Sequence, residues 1–192
     1  MLAQRHALTA IRSEHRALAG VLRVLEQCAT QLTTDLEPEV VTRIAAALEY
    51  ITTFPDRFHH PKEEKFLFAR LRSATHEADK ILGRLEEEHR SGNEARARLK
   101  EVFNRIVLGE TAVIKAFAVD ASTYVAFQFE HMRVEEDIVL PLAERTLSAD
   151  DWHAIASAFL DDSDPRFGWD ARDEFSKLLL QIQSMSATFR KK

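Results

Sequence analysis

Cysteine is almost missing from this chain of 192 residues: Cys28 stands alone, so no intramolecular disulfide can form and nothing points to an oxidising compartment. Glycine and proline number five each, too few for the turns of an all-β protein. No apolar run approaches the roughly 20 residues a membrane span needs, and "MLAQRHALTAIRSEHR" has no signal-peptide core. The cytoplasm is the expected address, with no membrane partner. A basic face is lacking too. Lys and Arg number 26 against 31 Asp and Glu, for a net charge of −5, and the only basic cluster is Arg190, Lys191 and Lys192, so no nucleic-acid partner is expected.

What the chain has is helix formers, with 45% apolar and 30% charged residues, the balance of one soluble globular domain. Leu8, Ile11, Leu18, Leu22 and Leu25 recur at three and four, the stripe of an amphipathic helix from about residue 3 to the low thirties. After "TTDLEPEV", where Thr34 or Asp35 can cap, a second helix carries Val41, Ile44, Leu48, Ile51, Phe58 and Leu71 to about residue 72. Pro55 and Pro61 lie inside it and predict a kink near "HHPKEE". A third helix, capped by Ser73 or Thr75, runs through Ile81, Leu85, Leu99 and Phe103 to Gly109. The fourth follows "GETA" and runs to about Arg145. Ser148 with Asp151 predicts a capped fifth helix, "LDDSDPRFGWD" a loop, and "EFSKLLLQI" a last short helix. The fold class is therefore all-α: an up-down-up-down four-helix bundle over residues 1–146, with short C-terminal helices over 147–192 packed on the same domain.

Two segments echo each other. In "HHPKEEKFLF" and "HMRVEEDIVLP" a His is followed four residues on by Glu, pairing His59 with Glu63 and His131 with Glu135. On a helix such residues share a face one turn apart, so each pair can present an imidazole and a carboxylate to one point. That chemistry suits iron, manganese or zinc. If residues 61 and 133 lie level with His15 and His89, the joining turns of an antiparallel bundle fall at 38, 75 and 111, where the breaks were already read. The site then lies 23 and 22 residues from the two turns at one end. His15 also replaces a member of the stripe set by Ile11, Leu18 and Leu22, and His89 follows Leu82 and Leu85 in the same way.

Four buried imidazoles and two carboxylates without a cation would leave several groups to be satisfied, which favours a metal site over a plain core. Counting residues does not exclude His60 with Glu64 as the inward pair. His60, Glu64 and Glu136 lie about 100° around their helices from the stripe and are read as solvated, with a supporting role for the imidazoles as the alternative. His6, His76 and His153 are read as surface, and so is Glu86. Tyr124, two turns before His131, either packs in the core or hydrogen-bonds a metal-bound oxygen.

Around "SEHRAL", "HHPKEEKFLF", "EEEHRS" and "EHMRVEEDIVLP" the sequence resembles the hemerythrin-like (HHE cation-binding) family, over about residues 5 to 145. The tail "LSADDWHAIASAF…DPRFG" is similar to a C-terminal extension found in one bacterial branch. The resemblance implies a four-helix bundle holding two iron ions, oxo- or hydroxo-bridged, with His15, His59, Glu63, His89, His131 and Glu135 as ligands. It also makes His59 and Glu63 the inward pair of "HHPKEE". Oxygen-carrying hemerythrins have a fifth histidine one turn from the third-helix ligand; here Leu85 and Asn93 stand at those positions. One more coordination position should be open to O2, NO, peroxide or azide. The implied activities are binding or sensing of a small diatomic or peroxide ligand, supply of labile iron to damaged iron centres, and peroxidase- or catalase-like turnover. The C-terminal helices either cover the bundle or pack on a partner, which makes a homodimer an option.

Overall fold

The computed structural model describes residues 2–160 together with 180 and 182, and every regular element among them is helical. Helix α1 is Leu2–Gln31. Helix α2 begins at Pro38–Phe54 and continues to residue 74 through two wide turns, Pro55–His59 and Glu63–Phe68. Helix α3 is Asp79–Val107. Helix α4 begins at Ile114–Val134 and continues to residue 146 through a wide turn at Glu135–Val139; helix α5 is Ala149–Leu160. Helix α1 packs against α2, α4 and α5, and α3 against α2 and α4.

The helix ends show which sequence signals acted. Pro38 opens α2, where its missing N–H costs nothing, but neither Thr34 nor Asp35 caps it; Glu37 holds the cap position without a side-chain bond. Ser73 lies inside α2, its hydroxyl donating to the Ala69 carbonyl, so α3 starts at Asp79, later than the sequence suggested. Gly109, at φ 104°, turns the chain beyond α3 in the left-handed region that glycine enters freely. At α5 the expected reciprocal cap forms: the Asp151 N–H donates to Ser148 Oγ at 3.2 Å and the Ser148 N–H to Asp151 Oδ2 at 3.0 Å. Leu160, expected to begin a loop, ends α5, and the rest of that loop and most of the last helix lie outside the described residues.

The wide turns follow the prolines. Pro55, Pro61 and Pro141 cannot donate to the carbonyls four residues back, and near each the ladder slackens to bonds five residues apart, as from Leu140 N–H to the Glu135 carbonyl. Glu63 and Glu135 each open such a turn.

Two apolar cores fill the bundle. One gathers Leu18 to Ala29 of α1, Val40 to Phe58 of α2, Leu99, Phe103 and Ile106 of α3, and Phe117 to Met132 of α4. The other gathers Ala3 to Ile11, Leu67 to Leu71, Leu82 and Leu85, and Val134 to Leu147, closed by Trp152, Ile155 and Phe159 of α5. Each fully buried Leu, Ile or Phe contributes about 1.5–3 kcal/mol to holding these layers. The interruption falls at one height in all four long helices, and that gap holds the histidines.

Candidate metal centre

In the gap four imidazoles meet in two pairs: His15 Nε2 lies 3.1 Å from His59 Nε2, and His89 Nε2 lies 3.1 Å from His131 Nε2. Two carboxylates sit between the pairs. Glu63 Oε1 is 3.3 Å from His59 Nε2 and 3.7 Å from His15 Nε2, while its Oε2 is 3.8 Å from His89 Nε2. Glu135 Oε1 is 3.3 Å from His131 Nε2 and 3.9 Å from His89 Nε2, and its Oε2 is 3.4 Å from His15 Nε2. Each carboxylate therefore reaches imidazoles of both pairs. All six side chains are buried.

The outer nitrogens are held by four further carboxylates. His15 Nδ1 donates to Glu136 at 2.8 Å, His59 Nδ1 to Glu14 at 2.8 Å, His89 Nδ1 to Glu64 at 2.7 Å, and His131 Nδ1 to Glu88 at 2.8 Å. With Nδ1–H so engaged, every Nε2 faces the centre, the orientation a metal ligand needs. The bonds run round the bundle in a ring. Glu14 on α1 holds a histidine of α2, Glu64 on α2 one of α3, Glu88 on α3 one of α4, and Glu136 on α4 one of α1.

The inner carboxylates have no such partners. All four oxygens of Glu63 and Glu135 are buried without a hydrogen bond. An unpartnered buried polar group costs about 1–3 kcal/mol, and more when charged, so this donor set fits a cation. In the metal-free chain protons take the cation's place. Burial alone would push His131 down, but the Glu135 charge 3.3 Å away and the bond to Glu88 outweigh it and raise it to about 10. For His15 burial is likewise outweighed, by the Glu135 carboxylate 3.4 Å away, the bond to Glu136 and the Glu63 carboxylate 3.7 Å away. Burial would raise Glu135, yet the His131 charge 3.3 Å away holds it well below the usual carboxylate range.

His60 departs from its reading as a solvated side chain. It is buried, its ring stacked on His89 with centroids 3.8 Å apart, and its nitrogens lie close to those of His89 and His131. The wide turns on either side of residues 60–62 change the rotation per residue, so the 100° offset of a regular helix does not hold there. Burial, then the neighbouring His89 charge, push His60 well below its ordinary pKa. Glu64 and Glu136 are partly exposed, as expected, but each also holds a ring nitrogen. Glu14 and Glu88 follow no one-turn spacing to the histidines they hold, and their one signal in the sequence is the tripeptide "EHR" at 14–16, which recurs at 88–90. Tyr124 lies in the core, its hydroxyl 3.5 Å from Arg96 Nη1 and making no bond to the six central side chains. Glu86 pairs with Arg72, and His6, His76 and His153 are exposed. Leu85 is in the core and Asn93 faces solvent, so α3 supplies no second histidine.

Compared with known protein families, residues 6–143 match the hemerythrin HHE cation binding domain. The chain belongs to the hemerythrin family. Membership implies cation binding in a helical bundle through a His/Glu cluster; among the described residues His15, His59, Glu63 and Glu135 form such a cluster of mutually close ligand atoms, and His60, His89 and His131 form an all-histidine one, both in this gap. Compared with curated proteins and with solved structures, this hemerythrin-family chain shows no significant match. No helix among the described residues is long and apolar enough to cross a membrane.

Proposed function

We propose that this hemerythrin-family protein holds two iron ions in an up-down-up-down bundle, with His15, His59, Glu63, His89, His131 and Glu135 as ligands, and that it binds a small molecule of the O2, NO or peroxide class. One observation carries the reading: two buried carboxylates, with no hydrogen bond to any of their four oxygens, each reach imidazoles of both pairs. Such a carboxylate is placed to bridge two cations, one near each pair. Six protein ligands do not fill two octahedral irons, which leaves positions for an exogenous molecule. Bound iron would supply redox and Lewis-acid chemistry. The chain's part is to set the imidazole tautomers through Glu14, Glu64, Glu88 and Glu136, and to exclude bulk water with the two apolar cores.

Labile-iron supply is a second reading, favoured by a cavity of about 240 Å³ that reaches His15 and Glu136 from the surface. The two are separated by loading the protein with iron, adding a strong chelator, and following the visible spectrum with and without azide. Azide-shifted charge-transfer bands with iron lost over hours support the small-molecule site; loss within seconds supports supply. No iron bound by the wild type would overturn both.

A further inference from the structure

Each of the six central side chains and the four outer carboxylates has a counterpart one helix pair away. Between α2 and α4 the spacing is 72: His59 matches His131, Glu63 matches Glu135, and Glu64 matches Glu136. Between α1 and α3 it is 74, matching Glu14 with Glu88 and His15 with His89. Apart from Lys62, which reaches Glu14 and is matched by Val134, the correspondence fails on one side only. His60 is matched by Met132, Asp56 by Gln128, and Arg96 by Leu22.

The unmatched residues are connected. Arg96, buried in the bundle, donates through Nη2 to Asp56 at 2.5 Å and lies 3.5 Å from the Tyr124 hydroxyl through Nη1. Asp56 Oδ1 is 3.4 Å from His60 Nδ1, too long for a good hydrogen bond, and His60 Nδ1 is buried without a partner. The other four imidazoles are each fixed by a carboxylate at 2.7–2.8 Å; His60 alone is uncommitted. Its stacking on His89 also bears on its role. Two rings inclined by only 10° at 3.8 Å cannot both hold one cation in their planes, so His60 stands beside the coordination sphere rather than in it. Gln128 Oε1, a second buried polar atom without a partner, lies one turn from His131 on α4. A cavity of about 370 Å³ lined by Tyr124 and Phe127, and by none of the histidines, lies beside this flank, and the Phe127 ring is 6.5 Å from that of His131. The opposite flank carries Met132 and Leu22, and the cavity of about 240 Å³ that reaches His15 lies on it, but no histidine stands there in the place of His60.

We propose that the two metal positions are inequivalent and that the exogenous ligand is taken at the His89–His131 position, where His60 hydrogen-bonds it. The inference rests on the di-iron reading above. The ligand class is a molecule of two or three atoms able to exchange a hydrogen bond with an imidazole, and the Asp56–Arg96–Tyr124 chain holds the pocket polar around it.

Azide is the probe. Iron per chain and azide affinity are measured for the full-length wild type, His60→Leu, His60→Asn and Met132→Leu. His60→Leu is expected to keep two irons and to weaken azide about tenfold, the loss of one hydrogen bond. His60→Asn, which keeps an N–H, should recover part of that affinity, and Met132→Leu should match the wild type. Unchanged azide affinity in His60→Leu, or equal weakening in Met132→Leu, would overturn the inference while leaving the di-iron reading intact. A fall to one iron in His60→Leu would overturn it too, making His60 a metal ligand. No iron in the wild type would instead remove the di-iron reading on which it rests.

Discussion

Glu136 accepts a hydrogen bond from His15 Nδ1 at 2.8 Å, although 121 positions separate the two residues, and this bond closes the ring of carboxylates around the four histidines. The ring ties each long helix to the next at one height, so the height of the centre and the packing of the bundle are set together.

Breaking one link should loosen the metal rather than remove it. Outer carboxylates of this kind are typically worth about 10- to 100-fold in metal affinity. Glu14→Gln, Glu64→Gln, Glu88→Gln and Glu136→Gln should each weaken iron within that range in chelator competition. Glu63→Gln or Glu135→Gln should cost more, since these face the cations directly. Equal effects for inner and outer sets would contradict the division.

Much of this was legible in the sequence. His15 and His89 interrupt apolar stripes, and the spacing of His59 with Glu63 and His131 with Glu135 survives the wide turns. Glu14 and Glu88 were hidden because each serves a histidine on a neighbouring helix, and the one-turn rule looks only along a single helix. His60 was misread because Pro55 and Pro61 alter the local rotation that places its side chain. Pro141 carried the same signal for the turn at Glu135–Val139.

Metal-free protein should lose stability as pH rises. His131 goes from its ordinary 6.5 in the unfolded chain to about 10 when folded, so its contribution is complete below pH 6.5 and fades as pH rises through about 10. Glu135 is held below its ordinary 4.5, so its contribution is complete above that value and is lost as pH falls through the lower folded pKa. Urea midpoints of the metal-free protein should therefore peak between about pH 4.5 and 6.5. Iron must displace the protons on His15 and His131, so its apparent affinity should climb over the range in which the free protein weakens. A metal-free protein more stable at pH 9 than at pH 6 would contradict these assignments.

Helix α5 should matter to stability more than to metal content. Phe159, 1% exposed, closes the second core, and Lys62 lies 5.3 Å over its ring while reaching Glu14 at 3.3 Å. Phe159→Ala should cost about 3–5 kcal/mol in chemical unfolding. Iron per chain in the folded fraction should stay at two. A loss of iron without loss of stability would place α5 in the centre itself.

The central claim is most directly tested by iron per chain after reconstitution, for the wild type and for His59→Ala and His131→Ala. The account predicts two irons in the wild type, with azide-sensitive charge-transfer bands, and loss of one or both in each variant. A wild type that binds no iron, or variants that bind as much as the wild type, would contradict it.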